Sequence, residues 1–437
     1  MAKSPKGVSI RTYDVGFGDC FLLSFDYGGG SERHVLIDFG STGFPKGVPK
    51  KRMMQIANDI KERTKRKLHA VVATHRHKDH ISGFETKKGG KGTGDVIRLL
   101  KPDVVVQPWT EDPDLRPNAT GPRSKKSTKK QVARKLDRMG ASTPKHIAAL
   151  THMHGIAQQM LTARNLPKAF KGELSFLGQT NLANRSAIDN LMAMGKKKRS
   201  YVYCGSKSGL ERVLPGVRVH VLGPPTVDQT DKIKKQRSSD PDQFWQFQAR
   251  AIGTDEAITG DEPALFPRHV EARGGRIPLR ARWLRLHSRT MRGAQLLQIV
   301  RMLDQQMNNT SVILVFQVGK KCLLFPGDAQ IENWEYALGQ DKYKALLAGV
   351  DLYKVGHHGS RNATPMDLWN GFKKRSKTRA PKRLKSLMST MAGKHGHAHS
   401  KTEVPRSTLV SALKGETELL TTQTFKGELF KDTRLAF

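Results

Sequence analysis

The stretch His75-Arg76-His77-Lys78-Asp79-His80 constrains this chain more than any other. It follows Ala70-Val71-Val72-Ala73, a short apolar run that reads as a buried strand. Four of its side chains, His75, His77, Asp79 and His80, are potential metal ligands. A turn leaving a strand end aims alternate side chains inward, so His75 and His77 can hold one ion and Asp79 and His80 a second one nearby. Imidazole nitrogen and carboxylate oxygen suit zinc, and also manganese or iron. A solvated polar turn has no need of four ligand-type residues packed behind a buried strand. Gly83 then lets the backbone turn before the next element.

Around this turn the chain shows two ordered regions. Residues 8–13 alternate apolar and polar side chains and read as a strand, which the Gly16/Gly18 turn pairs with a second strand at 20–25. A third strand, 34–38, ends in Asp38-Phe39-Gly40-Ser41 beneath the His-rich turn. Residues 50–67 have helical spacing, 96–100 read as a short helix and 104–106 as a strand. Order returns at 311–318, an apolar strand joined by Gly319-Lys320 to a return strand at 321–325. Asp328 sits at the end of that strand. Residues 329–347 read as one helix, and 351–355 as a strand delivering His357 and His358. The last core strand is expected at 384–389, followed by the loop His395-Gly396-His397-Ala398-His399 and a helix at 404–413. Strands alternating with helices suit sheets covered by helices.

His-X-His-X-Asp-His after an apolar strand resembles the signature of metallo-β-lactamase fold hydrolases. Asp14-Val15-Gly16-Phe17-Gly18-Asp19-Cys20, Pro326-Gly327-Asp328 and Val355-Gly356-His357-His358-Gly359-Ser360 are similar to motifs of the ComEC/Rec2 competence-protein branch, and stand in the same order. The resemblance covers the soluble hydrolase part only. It implies an α/β (α+β) fold, a four-layer αββα metallo-β-lactamase sandwich with a long basic insertion between its halves. The N-terminal half would be residues 7–110 and the C-terminal half 308–437. The insertion, 111–307, would contribute part of the sheet at about 200–225.

The resemblance also implies two divalent metal ions, Zn²⁺ or Mn²⁺. A carboxylate between two cations offsets their repulsion, and Asp328 is the candidate bridge. His357 is expected to complete the second metal, because it is the first residue past the strand and neighbours off a strand end diverge. His358 is then left as a substrate contact. A third histidine for the first metal would come from His152, His154, His220, His269 or His287, none of them in a motif; the branch that this chain resembles often lacks one, and water or substrate then completes that ion. Ions held this way lower the pKa of a bound water and polarise a phosphoryl oxygen. Asp79 can orient the nucleophile as well as bind metal. Asn309, Ser360, His397 and His399 are expected near the mouth of the site, where His397 or His399 would contact a phosphate oxygen or protonate a leaving group.

The substrate class follows from charge, since folds of this kind serve several chemistries. With 76 Lys+Arg against 39 Asp+Glu, the formal charge of +37 attracts polyanions. A basic surface around a dinuclear site favours a phosphodiester in nucleic acid, DNA or RNA, and Lys196, Lys197, Lys198 and Arg199 form one candidate backbone-contacting run. Lys87-Lys88, Lys91, Lys125-Lys126, Lys129-Lys130 and Lys373-Lys374-Arg375 are others. Aromatic residues, at 7%, show no interleaved stacking pattern, so sequence-specific reading is not expected. The expected activity is that of a metal-dependent phosphodiesterase or nuclease using a metal-activated hydroxide. Hydrolysis of a small anionic ester, lactone or cyclic nucleotide is the alternative. So is a partner-controlled component of a bacterial defence assembly, docked through the basic insertion. No apolar run reaches about eighteen residues, so no membrane span is expected. Three scattered cysteines without CxxC spacing read as reduced core residues of a cytoplasmic protein.

Overall fold

A computed structural model of the chain describes residues 4–115, 121–122, 184–195, 198–230, 308–360, 364–396, 399 and 403–437. They form a mixed α/β structure with two mixed sheets. The chain opens with β1 (Gly7–Tyr13), β2 (Cys20–Asp26) and β3 (Glu32–Phe39), paired antiparallel in sequence. Helix α1 (Arg52–Arg63) leads into β4 (Ala70–Val72). After α2 (Lys78–Ile81) and α3 (Thr93–Leu99) comes β5 (Val104–Pro108), and after α4 (Arg185–Met194) comes β6 (Arg199–Val202). From β3 through β6 the pairing is parallel.

The second sheet begins with β7 (Arg218–Gly223), β8 (Ile313–Val318) and β9 (Lys321–Phe325), again antiparallel neighbours. Helices α5 (Ile331–Leu338) and α6 (Asp341–Ala348) precede β10 (Leu352–Lys354), and α7 (Met366–Gly371) precedes β11 (Lys385–Met388). Helix α8 (Ser407–Glu416) leads to β12 (Glu418–Thr421), and β13 (Phe430–Ala436) closes the chain. Strands β9 to β12 run parallel. The seven-stranded sheet has the order β13-β1-β2-β3-β4-β5-β6, and the six-stranded sheet β12-β11-β10-β9-β8-β7.

Alternation along each strand decides which face goes where. Ala70 and Val72 of β4 join a cluster shared by both sheets, together with Phe21, Phe25, Phe316 and Phe325. The ring centroids of Phe21 and Phe325 lie 5.9 Å apart, those of Phe25 and Phe316 6.0 Å. Val71, between Ala70 and Val72, turns to the other face, where Ile56 and Ile60 of α1, Ile97 of α3 and Leu191 of α4 cover the first sheet. Ile313, Val315 and Tyr353 do the same in the second sheet, against Trp334, Leu347, Trp369 and Leu413.

The structure departs from the sequence reading in three places. The helix expected over 329–347 is two helices, because the first ends at Gly339 and the second starts after Gln340. Strands β12 and β13 follow the strand expected to be the last. β13 pairs along its whole length with β1, so the end of the supposed C-terminal half belongs to the first sheet. Its pairing covers an edge of that sheet, which would otherwise present unpaired backbone groups. As expected from the sequence, the stretch near 200–225 contributes to the sheets, β6 to the first and β7 to the second. Cys20, Cys204 and Cys322 are buried and free. Among the described residues, no helix is long and apolar enough to cross a membrane.

One pH response is built into the first sheet. His34 is buried between Ser24, whose hydroxyl lies 2.9 Å from its Nδ1, and the ring of His69. Burial pushes its pKa down from 6.5 to about 4. A group whose folded pKa is depressed contributes stability above its unfolded pKa, and that contribution is lost as pH falls through the folded value. Unfolding followed by urea from pH 7 to pH 4 is therefore expected to show a loss of about 3 kcal/mol that His34→Gln removes. An unchanged pH slope in the variant would refute the assignment.

Candidate metal centre

The parallel strands carry the site at their carboxyl ends. β4 runs into Thr74, whose backbone N and Oγ1 both donate to the Asp38 carboxylate, at 2.8 and 2.7 Å. Asp38, next to last in β3, has φ 54°, a conformation costly for a residue with a Cβ. Past Thr74 the segment stays non-helical to His77, and α2 then carries Asp79 and His80. The backbone N–H groups of His80 and Ile81 both reach the carbonyl of His77 at 3.0 Å, which ties the extended and helical parts of the turn together. Between the ligand positions, Arg76 donates from Nε and Nη2 to the Glu111 carboxylate, at 2.8 and 2.5 Å, and both residues are buried.

Two glycines allow the approach of other segments. Gly18 has φ 154°, and a Cβ there would overlap the carbonyl oxygens of Gly40 and Asp79. This contact lets the backbone N–H of Asp19 donate to the Asp79 carbonyl at 2.8 Å. Gly327 has φ 56° and would press a Cβ into Thr74. It brings the next residue, Asp328, against the His-rich turn.

Asp79, His80, Asp328 and His358 converge, all buried, with one ligand atom from each lying within 4.8 Å of the others. His80 Nε2 is 3.0 Å from Asp328 Oδ2, and His358 Nε2 is 3.0 Å from Asp79 Oδ2 and 3.5 Å from Asp328 Oδ2. The other nitrogen of each ring is already engaged. His80 Nδ1 lies 2.8 Å from Asp38 Oδ2, and His358 Nδ1 donates to the carbonyl of Ser389 at 3.0 Å. These partners fix the ring orientations and turn both Nε2 atoms toward the carboxylates, an outer shell of the kind that metal-binding histidines have. His75 and His77 sit beside this group. His75 Nε2 is 2.9 Å from His77 Nδ1, and the rings of His75 and His80 are 4.2 Å apart.

Within the four-residue group, imidazoles and carboxylates hold each other's charged forms. Burial opposes a charged His80, but Asp328, Asp38 and Asp79 outweigh it and hold its pKa well above the usual range. Burial likewise opposes a charged Asp328, and His80, His358 and Lys354 hold its pKa well below the usual range. His75, facing His80 and His77, is pushed far down by burial and by those neighbours, so it stays neutral. Two imidazoles and two carboxylates at these distances could hold a metal ion. A second group, Asp19, Asp38 and His80, has a comparable donor set. There the ammonium of Lys354 contacts Asp19 directly and lies 3.6 Å from Asp328, so a protein cation already serves it.

The placement of the expected residues is uneven. His75, His77, Asp79, His80 and Asp328 are brought together. His358 occupies the position expected for His357, whose Nδ1 instead faces Ser360 Oγ at 2.8 Å. The expectation assumed an extended strand end with diverging neighbours. His357 and His358 both take positive φ, 42° and 52°, and this left-handed turn swings the second ring into the cluster. Asn309 is buried and accepts at its carbonyl from Asn333 Nδ2 (3.1 Å), on a segment whose Ser311 Oγ accepts from the Asp328 backbone N–H (3.3 Å). His399 is exposed. Arg199 is exposed on β6 and Lys198, just before it, is half-buried. His397, Lys196 and Lys197 lie outside the described residues, as do His152, His154, His269, His287 and the lysines at 125, 126, 129 and 130. His220 bonds Gln317 across β7 and β8 at 2.8 Å.

Four residues near the centre were not singled out as site residues from sequence: Asp19, Asp38, Lys354 and His395. The first lies in the glycine-rich opening motif and the second at the strand end beneath the turn, so each had a signal. Lys354 is one polar residue in an apolar strand and gave none. His395 packs its ring 4.4 Å from Phe17, which lies 4.3 Å from His358. Burial lowers its pKa to about 4, leaving a neutral imidazole beside the cluster. No protein-family model matches the chain, and no curated protein is significantly similar to it.

Proposed function

We propose that this chain is a dinuclear metal-dependent hydrolase of the metallo-β-lactamase type, akin to the ComEC/Rec2 branch, acting as a phosphodiesterase or nuclease on nucleic acid. The observation that carries this reading is the convergence of Asp79, His80, Asp328 and His358 from distant parts of the chain. In this reading the two sheets and their helices are the four-layer αββα sandwich, and its pair of ions is zinc or manganese. Asp79, His80, Asp328 and His358 would hold one ion, His75 and His77 the other, with Asp328 as the bridge. Such a pair supplies Lewis acidity toward a phosphoryl oxygen and a water acidified toward neutrality.

The protein's own residues prepare that site. Asp38 and the Ser389 carbonyl orient His80 and His358, and Lys354 steadies Asp328 and Asp19. In this reading Asp79 orients the nucleophile as well as binding metal. Burial of the whole set excludes bulk water and strengthens each electrostatic contact. Lys87, Lys88 and Lys91, exposed just beyond the His-rich turn, suit the backbone of a polyanion. Lys374 and Arg375 do not, because they pair with Asp351 and Glu416 inside the fold. The net charge of +37 supports nucleic acid over a small ester, and a cytoplasmic setting goes with that substrate. A protein partner docked through the basic insertion would act on this same centre.

Protein loaded with Zn²⁺ or Mn²⁺ is expected to cleave DNA or RNA. Asp79→Ala and His80→Ala are expected to lose cleavage by at least about 10²-fold while keeping salt-dependent binding. Cleavage of neither polymer by protein with its full metal complement would overturn the nuclease reading. Hydrolysis of small esters or lactones in that same preparation would reassign the substrate.

A further inference from the structure

We propose that the buried Arg76–Glu111 ion pair is a positioning device for the ion assigned to His75 and His77, and that it sets how tightly that ion is held without adding to the stability of the fold. The proposal rests on the two-ion reading of the centre. Arg76 stands between two of the ligand residues, and its guanidinium forks onto the Glu111 carboxylate from Nε and Nη2. Arg76 is 6% exposed and Glu111 8%.

Both ends of the His-rich turn are tied to the rest of the molecule through the backbone. The Ala73 N–H donates to the Val106 carbonyl at 3.0 Å, the Thr74 N–H donates to Asp38, and the Thr74 carbonyl accepts from the Val312 N–H at 2.9 Å. At the other end the Asp79 carbonyl accepts from the Asp19 N–H at 2.8 Å. Between these anchors, His75 and Arg76 make no backbone hydrogen bond to another segment among the described residues. The Arg76 side chain supplies an anchor in their place. Its partner Glu111 closes the short turn Trp109–Glu111 after β5. The Trp109 indole donates to the Pro225 carbonyl at 3.2 Å, just past β7. The fork thus ties the middle of the turn to the ends of strands from both sheets.

The direction of the fork matters for the histidines on either side of it. His75 Nε2 and His77 Nδ1 meet at 2.9 Å, with ring centroids 4.6 Å apart, while Arg76 leaves toward Glu111. Pinning Arg76 fixes the face of the turn that carries both rings. Burial opposes the Arg76 charge and Glu111 outweighs it; no metal-binding residue enters that balance, so the pair acts through position and not through its field. A buried ion pair is a poor source of stability. Desolvating two charges offsets most of their attraction, and an apolar pair of similar volume often serves as well. A contact that holds ligands to within a fraction of an ångström does set metal affinity, which falls by about 10- to 100-fold when such support is lost.

The test counts Zn²⁺ bound per full chain under competition by a chelator, and follows urea unfolding of the same proteins without metal. Arg76→Met/Glu111→Leu removes both charges at similar volume, and Arg76→Lys keeps the charge but gives up the fork. The double variant is expected to hold one ion as wild type does and to release the other at least about tenfold more readily, with an unchanged or raised urea midpoint. Arg76→Lys is expected to fall between the two. Adding His358→Ala, which removes the other ion, to the double variant is expected to leave no tightly bound metal. Wild-type affinity for both ions in the two variants would overturn the proposal. So would a lowered urea midpoint in the double variant, because the pair would then be holding the fold. Fewer than two ions on wild-type protein would overturn the two-ion reading before any variant is compared, and this proposal with it.

Discussion

His358→Ala is expected to lower nucleic-acid cleavage by at least about 10²-fold and to cost the protein one equivalent of bound metal. His357→Ala is expected to keep both ions and most of the activity. The two histidines are adjacent and both lie close to Asp328, but only the second directs a nitrogen at the carboxylates. Its Nδ1–H is committed to the Ser389 carbonyl, which leaves Nε2 facing Asp79 at 3.0 Å. His357 contributes its backbone N–H to Asp328 Oδ1 at 3.1 Å, a bond that an alanine retains. Metal quantification of the two purified variants separates the roles before any assay is run. Loss of metal from His357→Ala with retention in His358→Ala would reverse the assignment.

The second large effect concerns stability. Lys354 is 2% exposed, and burial opposes its charge. Asp19 and Asp328 outweigh that burial and keep its pKa above the usual lysine value. Lys354→Met matches the stem but leaves Asp19 buried without its cation. Removing one partner of a buried pair costs about 3–5 kcal/mol, so the urea midpoint of metal-free protein is expected to fall accordingly. Asp19→Asn/Lys354→Met, which removes both charges, is expected to recover a large part of that loss. Full additivity of the two single changes would show that the pair does not act as a unit. Because Lys354 also donates to the Gly327 carbonyl at 3.2 Å beside Asp328, metal affinity in Lys354→Met is expected to drop about 10- to 100-fold.

Local pattern decided much of this molecule. The alternation of residues 8–13, the apolar runs that became β4, β8 and β9, and the His-rich turn after β4 were legible because strand period and ligand spacing are short-range properties. So was Asp328, through its place at a strand end. Other features depend on partners far along the chain. β13 has one buried side chain, Leu435, and little pattern of its own, and becomes a strand by pairing with β1. The helix break after Leu338 and the choice of His358 over His357 rest on backbone torsions at one or two residues that no periodicity records.

The sequence alone marked most of the side chains that could hold a cation, His75, His77, Asp79, His80 and Asp328, and the strands that deliver them, since chemistry and alternation are written residue by residue. Only the tertiary structure decided which histidine enters the cluster and that Lys354 pairs with Asp19. Those outcomes depend on the close approach of segments hundreds of residues apart, and burial there gives each charge its energetic weight.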